Sequence, residues 1–131
     1  MVIWLTSKIG IKTPSDELKP EEYGSIIVDC RELVDGKNHP GKLLAKTIGV
    51  DNLLSTERVI LQCQAGVSRS VAIATLLFWY DGDGKLSIEQ TYLKVIKPRY
   101  PQAQISEELL RSMNQVPKFI TAIGDENRKH S

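Results

Sequence analysis

The sequence predicts an α/β domain, a small central and mostly parallel sheet surrounded by helices. Three observations carry this. "YGSIIVDC" (23–30) and "RVILQ" (58–62) each hold a short apolar, β-branched run of strand length. A helical apolar stripe lies between them, which is the crossover that a parallel pair needs. "RSVAIATLLFWY" (69–80) is apolar on nearly every side, so it reads as a helix buried in the middle of a domain.

The elements follow in order. Gly24 and Ser25 punctuate the first run, and Ile26, Ile27 and Val28 form a strand expected to be buried. "RELVDGKNHPG" is a polar loop with Asp35-Gly36 and Pro40-Gly41 as turn signals. Leu43, Leu44, Ile48, Leu53 and Leu54 mark a helix over 42–54, which Gly49 weakens by about 1 kcal/mol relative to alanine. "DGDG" at 81–84 breaks the chain after the buried helix, whose Trp79 and Tyr80 are expected in the core. A calcium loop starting at Asp81 and Asp83 would need a glutamate where Tyr92 stands, so a turn is expected. Ser87 and Gln90 form a capping box for a helix that runs to Pro98. Ser106 caps a further helix, with Glu107 and Glu108 at its positive end. Beyond Gly124 the polar "DENRKHS" reads as a tail.

The 131 residues suit one domain with a real core. Seventeen basic and 16 acidic residues leave a net charge of +1, which gives no electrostatic footprint for nucleic acid or an anionic membrane. No run reaches the length of a membrane span, and "MVIWLTSKIG" lacks a basic leader, so a cytoplasmic location is expected. Cys30 and Cys63 make no disulfide framework. With His39 and His130 they show no paired ligand spacing, so no metal is expected.

The chemistry concentrates in "LQCQAGVSRSV", residues 61–71. A strand ends at Cys63, a helix starts near Arg69, and Gly66 permits a sharp turn or close backbone approach between them. Such a strand–loop–helix converges backbone N–H groups and the positive end of a helix on one point, an anion site. Arg69 adds a planar fork suited to two phosphate oxygens. The same donors stabilise a thiolate, since helix starts and cations can lower a cysteine pKa from about 8.5 to about 3.5–7.5. The implied chemistry is attack on a phosphate ester, then hydrolysis of a phosphocysteine. A buried structural thiol is the blander alternative. It fits less well beside Gly66, Arg69 and Ser70 at these spacings.

Five residues separate Cys63 from Arg69, and "CQAGVSRS" resembles the loop of the cysteine-dependent protein phosphatases. It is most similar to the dual-specificity branch, whose loop reads H-C-x-x-G-x-x-R-[ST]. The resemblance implies a protein tyrosine phosphatase-like fold and Cys63 as nucleophile. Arg69 would clamp the phosphate, and the amides of Gln64, Ala65, Gly66, Val67, Ser68 and Arg69 would cradle its oxygens. Ser70 would help the thiolate leave. It implies no cofactor, a monomeric phosphatase domain over 1–124 with a tail at 125–131, and a phosphoprotein or phosphopeptide substrate. "YLKVIKPRYPQAQISEELLRSM" (92–113) is similar to the family's later helix, turn and closing helix. One departure is Gln62, where the family usually has histidine.

The family takes the leaving-group proton from an aspartate on an upstream loop. "DGKNHP" resembles that loop and favours Asp35; Asp29 follows, then His39, while Asp51 is expected to be solvated. For Cys30 the resemblance offers a reversible disulfide with Cys63, against the simpler role of a core thiol. Two rivals remain at this stage. One is a rhodanese-like sulfurtransferase, whose loop lacks this Cys-to-Arg spacing. The other is a non-catalytic phospho-binding module, for which Gln62 leaves room.

Overall fold

β4 (Val59–Gln62) is the centre of the sheet, and its Val59, Ile60 and Leu61 are wholly buried. A strand covered on both faces needs consecutive apolar residues, which "RVILQ" supplies. The computed structural model describes residues 1–65, 68–82 and 84–129, the last four by backbone alone. β4 lies between β2 (Ile9–Lys12) and β3 (Ile26–Asp29), parallel to both, and β1 (Ile3–Trp4) adds an antiparallel edge, giving the order β1-β2-β4-β3. The mostly parallel sheet expected from the sequence is present, as is the crossover through α1 (Pro40–Leu54).

One correction concerns this sheet. β3 is an edge strand, not a buried one: Ile26 and Ile27 are 38% and 44% exposed. The central place belongs to β4 because the β1–β2 hairpin, built from residues that carry no clear strand pattern, occupies its other side. The 3₁₀ turn at Pro20–Glu22 then leads into β3, and Trp4 Nε1 donates to Glu22 Oε2 at 2.6 Å across it.

α2 (Arg69–Asp81) is the central helix, packed against β2 and β4 and against α1, α3 and α5. Residues 70–77 are buried on every face, as the unbroken apolar run requires. The last turn emerges, however: Trp79 is half-buried and Tyr80 is 41% exposed, against the expectation that both are core. α1 buries Leu43, Leu44, Thr47 and Val50, while Ile48 turns outward. Gly84 follows with φ 79°, a left-handed value that favours glycine; Asp83 lies outside the described residues.

Ser87 and Gln90 form the capping box that opens α3 (Ile88–Thr91). A π-helical turn (Tyr92–Ile96) and α4 (Lys97–Arg99) continue the helix past Pro98. Pro98 has no N–H to donate to the carbonyl four residues back, and the helix widens just before it instead of ending there. Lys97 donates to the Pro101 carbonyl at 3.2 Å and to that of Ala103, while Arg99 lies over the Phe78 ring. Ser106 caps α5 (Glu107–Asn114) through the Leu109 N–H. α6 (Val116–Lys129), which the sequence pattern did not announce, packs on α1 and α5 and carries helical backbone through residues 125–129.

Candidate active site

Parallel strands present their C-terminal ends to one edge of the sheet, where α/β folds place their sites. Here β2, β4 and β3 end at Lys12, Gln62 and Asp29, in direct register. Cys63 follows Gln62 and is 1% exposed. The Ser70 N–H, in the first turn of α2, points at Cys63 Sγ from 3.5 Å, so the helix start bears on the sulfur. Gln64 and Ala65 are exposed and Ser68 is buried. Gly66 and Val67 lie outside the described residues.

The polar loop after β3 folds over this point. Arg69 Nη1 donates to the carbonyls of Arg31 at 3.1 Å and Leu33 at 3.2 Å. The Ser68 hydroxyl donates to Asp35 Oδ1 at 2.6 Å. Leu33 is 2% exposed and seats the loop in the core. Asn38, itself buried, ties the turn together. Its Oδ1 accepts from Val34 N at 3.0 Å, and its Nδ2 donates to the carbonyls of Val34 at 2.7 Å and Gly36 at 3.1 Å. Its backbone N–H donates to Ser112 Oγ of α5 at 2.9 Å.

The three weaker acid candidates have other engagements. Asp29 is gripped by Arg31 through Nε and Nη2, the latter at 2.8 Å, and by the Arg31 backbone N–H at 2.9 Å. These bonds, the guanidinium first, lower its pKa to about 2. His39 accepts from Gly41 N at 2.9 Å as the cap of α1 and stands edge-on to Phe119. Asp51 is half-buried, not freely solvated, and lies beside Asp81, whose pKa is raised to about 6 by burial and then by that neighbour.

Cys30 is fully buried at the end of β3, with its N–H on the Gln62 carbonyl at 2.7 Å. Burial pushes its thiol up to about 12, with the Lys46 charge acting the other way. Ser70 Oγ is also fully buried; its contact with the Cys30 thiol is too loose for a full hydrogen bond, and it has no other partner among the described residues. Tyr100, largely buried, lies near Cys63 and Asp16, and its pKa is raised, by burial first. A cavity of about 740 Å³ is lined by Lys37, Asn38, His39, Glu108 and Arg111 among others, and Cys63 does not line it.

Three contributors escape sequence reasoning: Lys12, Asn38 and Tyr100. Asn38 had a signal, since a polar residue closing a Gly-containing turn commonly bonds that turn's own backbone. Lys12 and Tyr100 had none, because they reach the site from β2 and from the segment after α4.

No protein-family model matches the chain, and no curated protein matches it in sequence. Solved structures do match its fold. Human DUSP28 superposes with a TM-score of 0.74 at 12% identity, over 93% of this chain and 99% of that one. Tk-PTP in its active form gives 0.69 at 13% identity, over 89% of this chain and 96% of that one. A mouse putative dual specificity phosphatase complexed with zinc tungstate gives 0.74 at 11%, over 94% and 90%. The fold is therefore that of the dual-specificity and tyrosine phosphatases, across nearly the whole chain.

Proposed function

We propose that the chain is a cysteine-dependent protein phosphatase of the dual-specificity type, hydrolysing phosphate monoesters through a phosphocysteine at Cys63. The observation that carries this is the Ser68–Asp35 hydrogen bond of 2.6 Å, which draws one carboxyl of a distant loop onto the loop that begins at the cysteine. Cys63 Sγ attacks phosphorus and the P–O bond to the leaving group breaks. The Asp35 carboxyl gives that oxygen its proton. Asp35, now a carboxylate, takes a proton from water as the water attacks phosphorus and the P–S bond breaks. The buried, under-bonded Ser70 hydroxyl is the donor available to the departing thiolate.

Arg69 supports this through its anchoring. Nη1 is held by two loop carbonyls, and Nε and Nη2 have no partner among the described residues, so a fork is left for an oxyanion. The backbone N–H groups of the described loop residues Gln64, Ala65, Ser68 and Arg69 are the remaining candidate donors. The contrast between Asp29, held by a guanidinium, and Asp35, held by one hydroxyl, favours Asp35 as the acid. The substrates are phosphotyrosine and, in a shallow pocket, phosphoserine and phosphothreonine of proteins. The domain over 1–124 acts as a monomer.

A pH–rate profile on an aryl phosphate tests this. The expected result is an acidic optimum whose alkaline limb disappears in Asp35→Ala, with no turnover in Cys63→Ser. Full activity in Asp35→Ala with loss in Asp29→Ala would reverse the acid assignment. Thiosulfate:cyanide transfer by the same preparation, with no phosphate release, would replace the whole reading by a sulfurtransferase.

A further inference from the structure

The C-terminal end of β2 holds a lysine in an unusual setting. Lys12 is 5% exposed. Its ammonium donates to Gln62 Oε1 at 2.7 Å and to the Thr13 carbonyl at 2.7 Å. Both acceptors are neutral, and no carboxylate among the described residues pairs with it. A buried ammonium without a counter-ion is unfavourable in a folded chain, and such groups concentrate where a charge is used.

Register explains where this charge sits. Lys12 is the Cα partner of Gln62 in the β2–β4 ladder, and Cys63 follows Gln62 directly. The ammonium is therefore bonded to the side chain that immediately precedes the sulfur. Gln62 itself brings no charge to that position. An amide whose oxygen accepts from an ammonium becomes a stronger donor through its own N–H groups, so the pair can pass on polarisation as well as charge.

The other titratable groups around Cys63 leave room for this cation. Arg69 opens α2 and is fixed to the loop carbonyls. Lys46 of α1 is ion-paired with Glu32. Asp16, after β2, is bonded by Thr13 and paired with the N-terminal amine; Asp29, registered with Gln62 on the far side, is held by Arg31, and Asp35 by the Ser68 hydroxyl; Tyr100 and Cys30 bring no positive charge.

We propose that Lys12 is a positioning residue for the reaction: through Gln62 it orients the start of the cysteine loop and supplies positive charge that favours the Cys63 thiolate. This rests on the phosphocysteine reading above. Lys12 touches neither substrate nor the reacting atoms; it acts through Gln62.

The test is the pH dependence of iodoacetamide alkylation of Cys63 in the full chain, read beside aryl phosphate turnover. Lys12→Gln keeps a polar side chain and removes the charge. Its apparent thiol pKa is expected to rise by about one unit, with alkylation and kcat/KM near pH 6 falling about tenfold. Lys12→Arg is expected to retain the wild-type profile. Gln62→Glu keeps shape and neutralises the ammonium in place, so it covers the case in which Lys12→Gln fails to fold; its thiol pKa is also expected to rise. A thiol pKa unchanged in the folded Lys12→Gln, or unchanged in Gln62→Glu, overturns the proposal. A wild-type thiol that titrates near 8.5 without turnover overturns the phosphocysteine reading itself, whereas a low wild-type value with unmoved variants overturns only the role of Lys12.

Discussion

Cys30 and Cys63 end adjacent parallel strands, one residue beyond the registered pair Asp29 and Gln62, and both are buried. Their surroundings then diverge. β4 runs through a short loop into α2, whose Ser70 N–H points at Cys63 Sγ. β3 runs into a long polar loop, and α1 begins only at Pro40. Cys30 therefore has burial without a helix start, and its thiol is pushed up to about 12. Burial alone makes a thiol inert. Burial at the start of a helix is the arrangement that favours a thiolate.

The comparison breaks most visibly at the sulfurs. Cys63→Ser should reduce aryl phosphate hydrolysis to the background rate while leaving vanadate binding measurable by calorimetry. Cys30→Ala should keep turnover within about threefold and cost about 1–2 kcal/mol in denaturant unfolding, as expected of a small buried side chain. Loss of turnover in Cys30→Ala with a normal fold would mean that the two strand ends share the chemistry.

A second contrast lies between the carboxyls downstream of β3. Asp35→Asn should lower kcat by about 10²–10⁴, whereas Asp29→Asn should change it by less than about threefold. Steady-state kinetics across pH 5–8 separates the two.

Asn38→Ala should sharpen that contrast with a smaller effect. It removes the bonds that hold Val34 and Gly36 on either side of Asp35. We expect kcat to fall about tenfold to a hundredfold with little change in KM, since the carboxyl is displaced and the cysteine loop is not. Equal losses in kcat and thiol reactivity would show that the two loops move as one.

The smallest effects are in stability against pH. Asp29 has a depressed folded pKa, so its contribution is present above about pH 4 and lost as pH falls toward 2. Asp81 has a raised one, so its contribution is present below about pH 4 and lost as pH rises through about 6. Melting curves from pH 3 to 7 should show Asp29→Asn flattening the acid side and Asp81→Asn the side between 4 and 6. Both groups are largely exposed, so shifts of a degree or two are expected.

Much of the candidate site was legible because its signals are local. Cys63, Arg69 and Ser70 sit within eight consecutive residues, and the unbroken apolar run after them admits little besides a buried helix. The caps at Ser87 and Ser106 were readable for the same reason. Ile26 and Ile27 were misplaced because an apolar run shows that a strand forms, not which neighbour it acquires. The β1–β2 hairpin escaped notice because its short strands hold little pattern of their own. Trp79 and Tyr80 were misread because the helix carrying them outlasts the core that buries its earlier turns.

By itself the sequence determined the strand–loop–helix that carries a thiol and a guanidinium at fixed spacing, since chain connectivity alone keeps those groups together. Only the tertiary structure decided that Asp35, favoured by the resemblance of its loop, is bonded to Ser68, which strand is left at the edge, and which cation stands behind Gln62. Those partners are separated by 33 residues for Ser68 and Asp35 and by 50 for Lys12 and Gln62. Contacts at such distances are set by how the sheet is ordered and how helices pack on it, and no local pattern of residues encodes them.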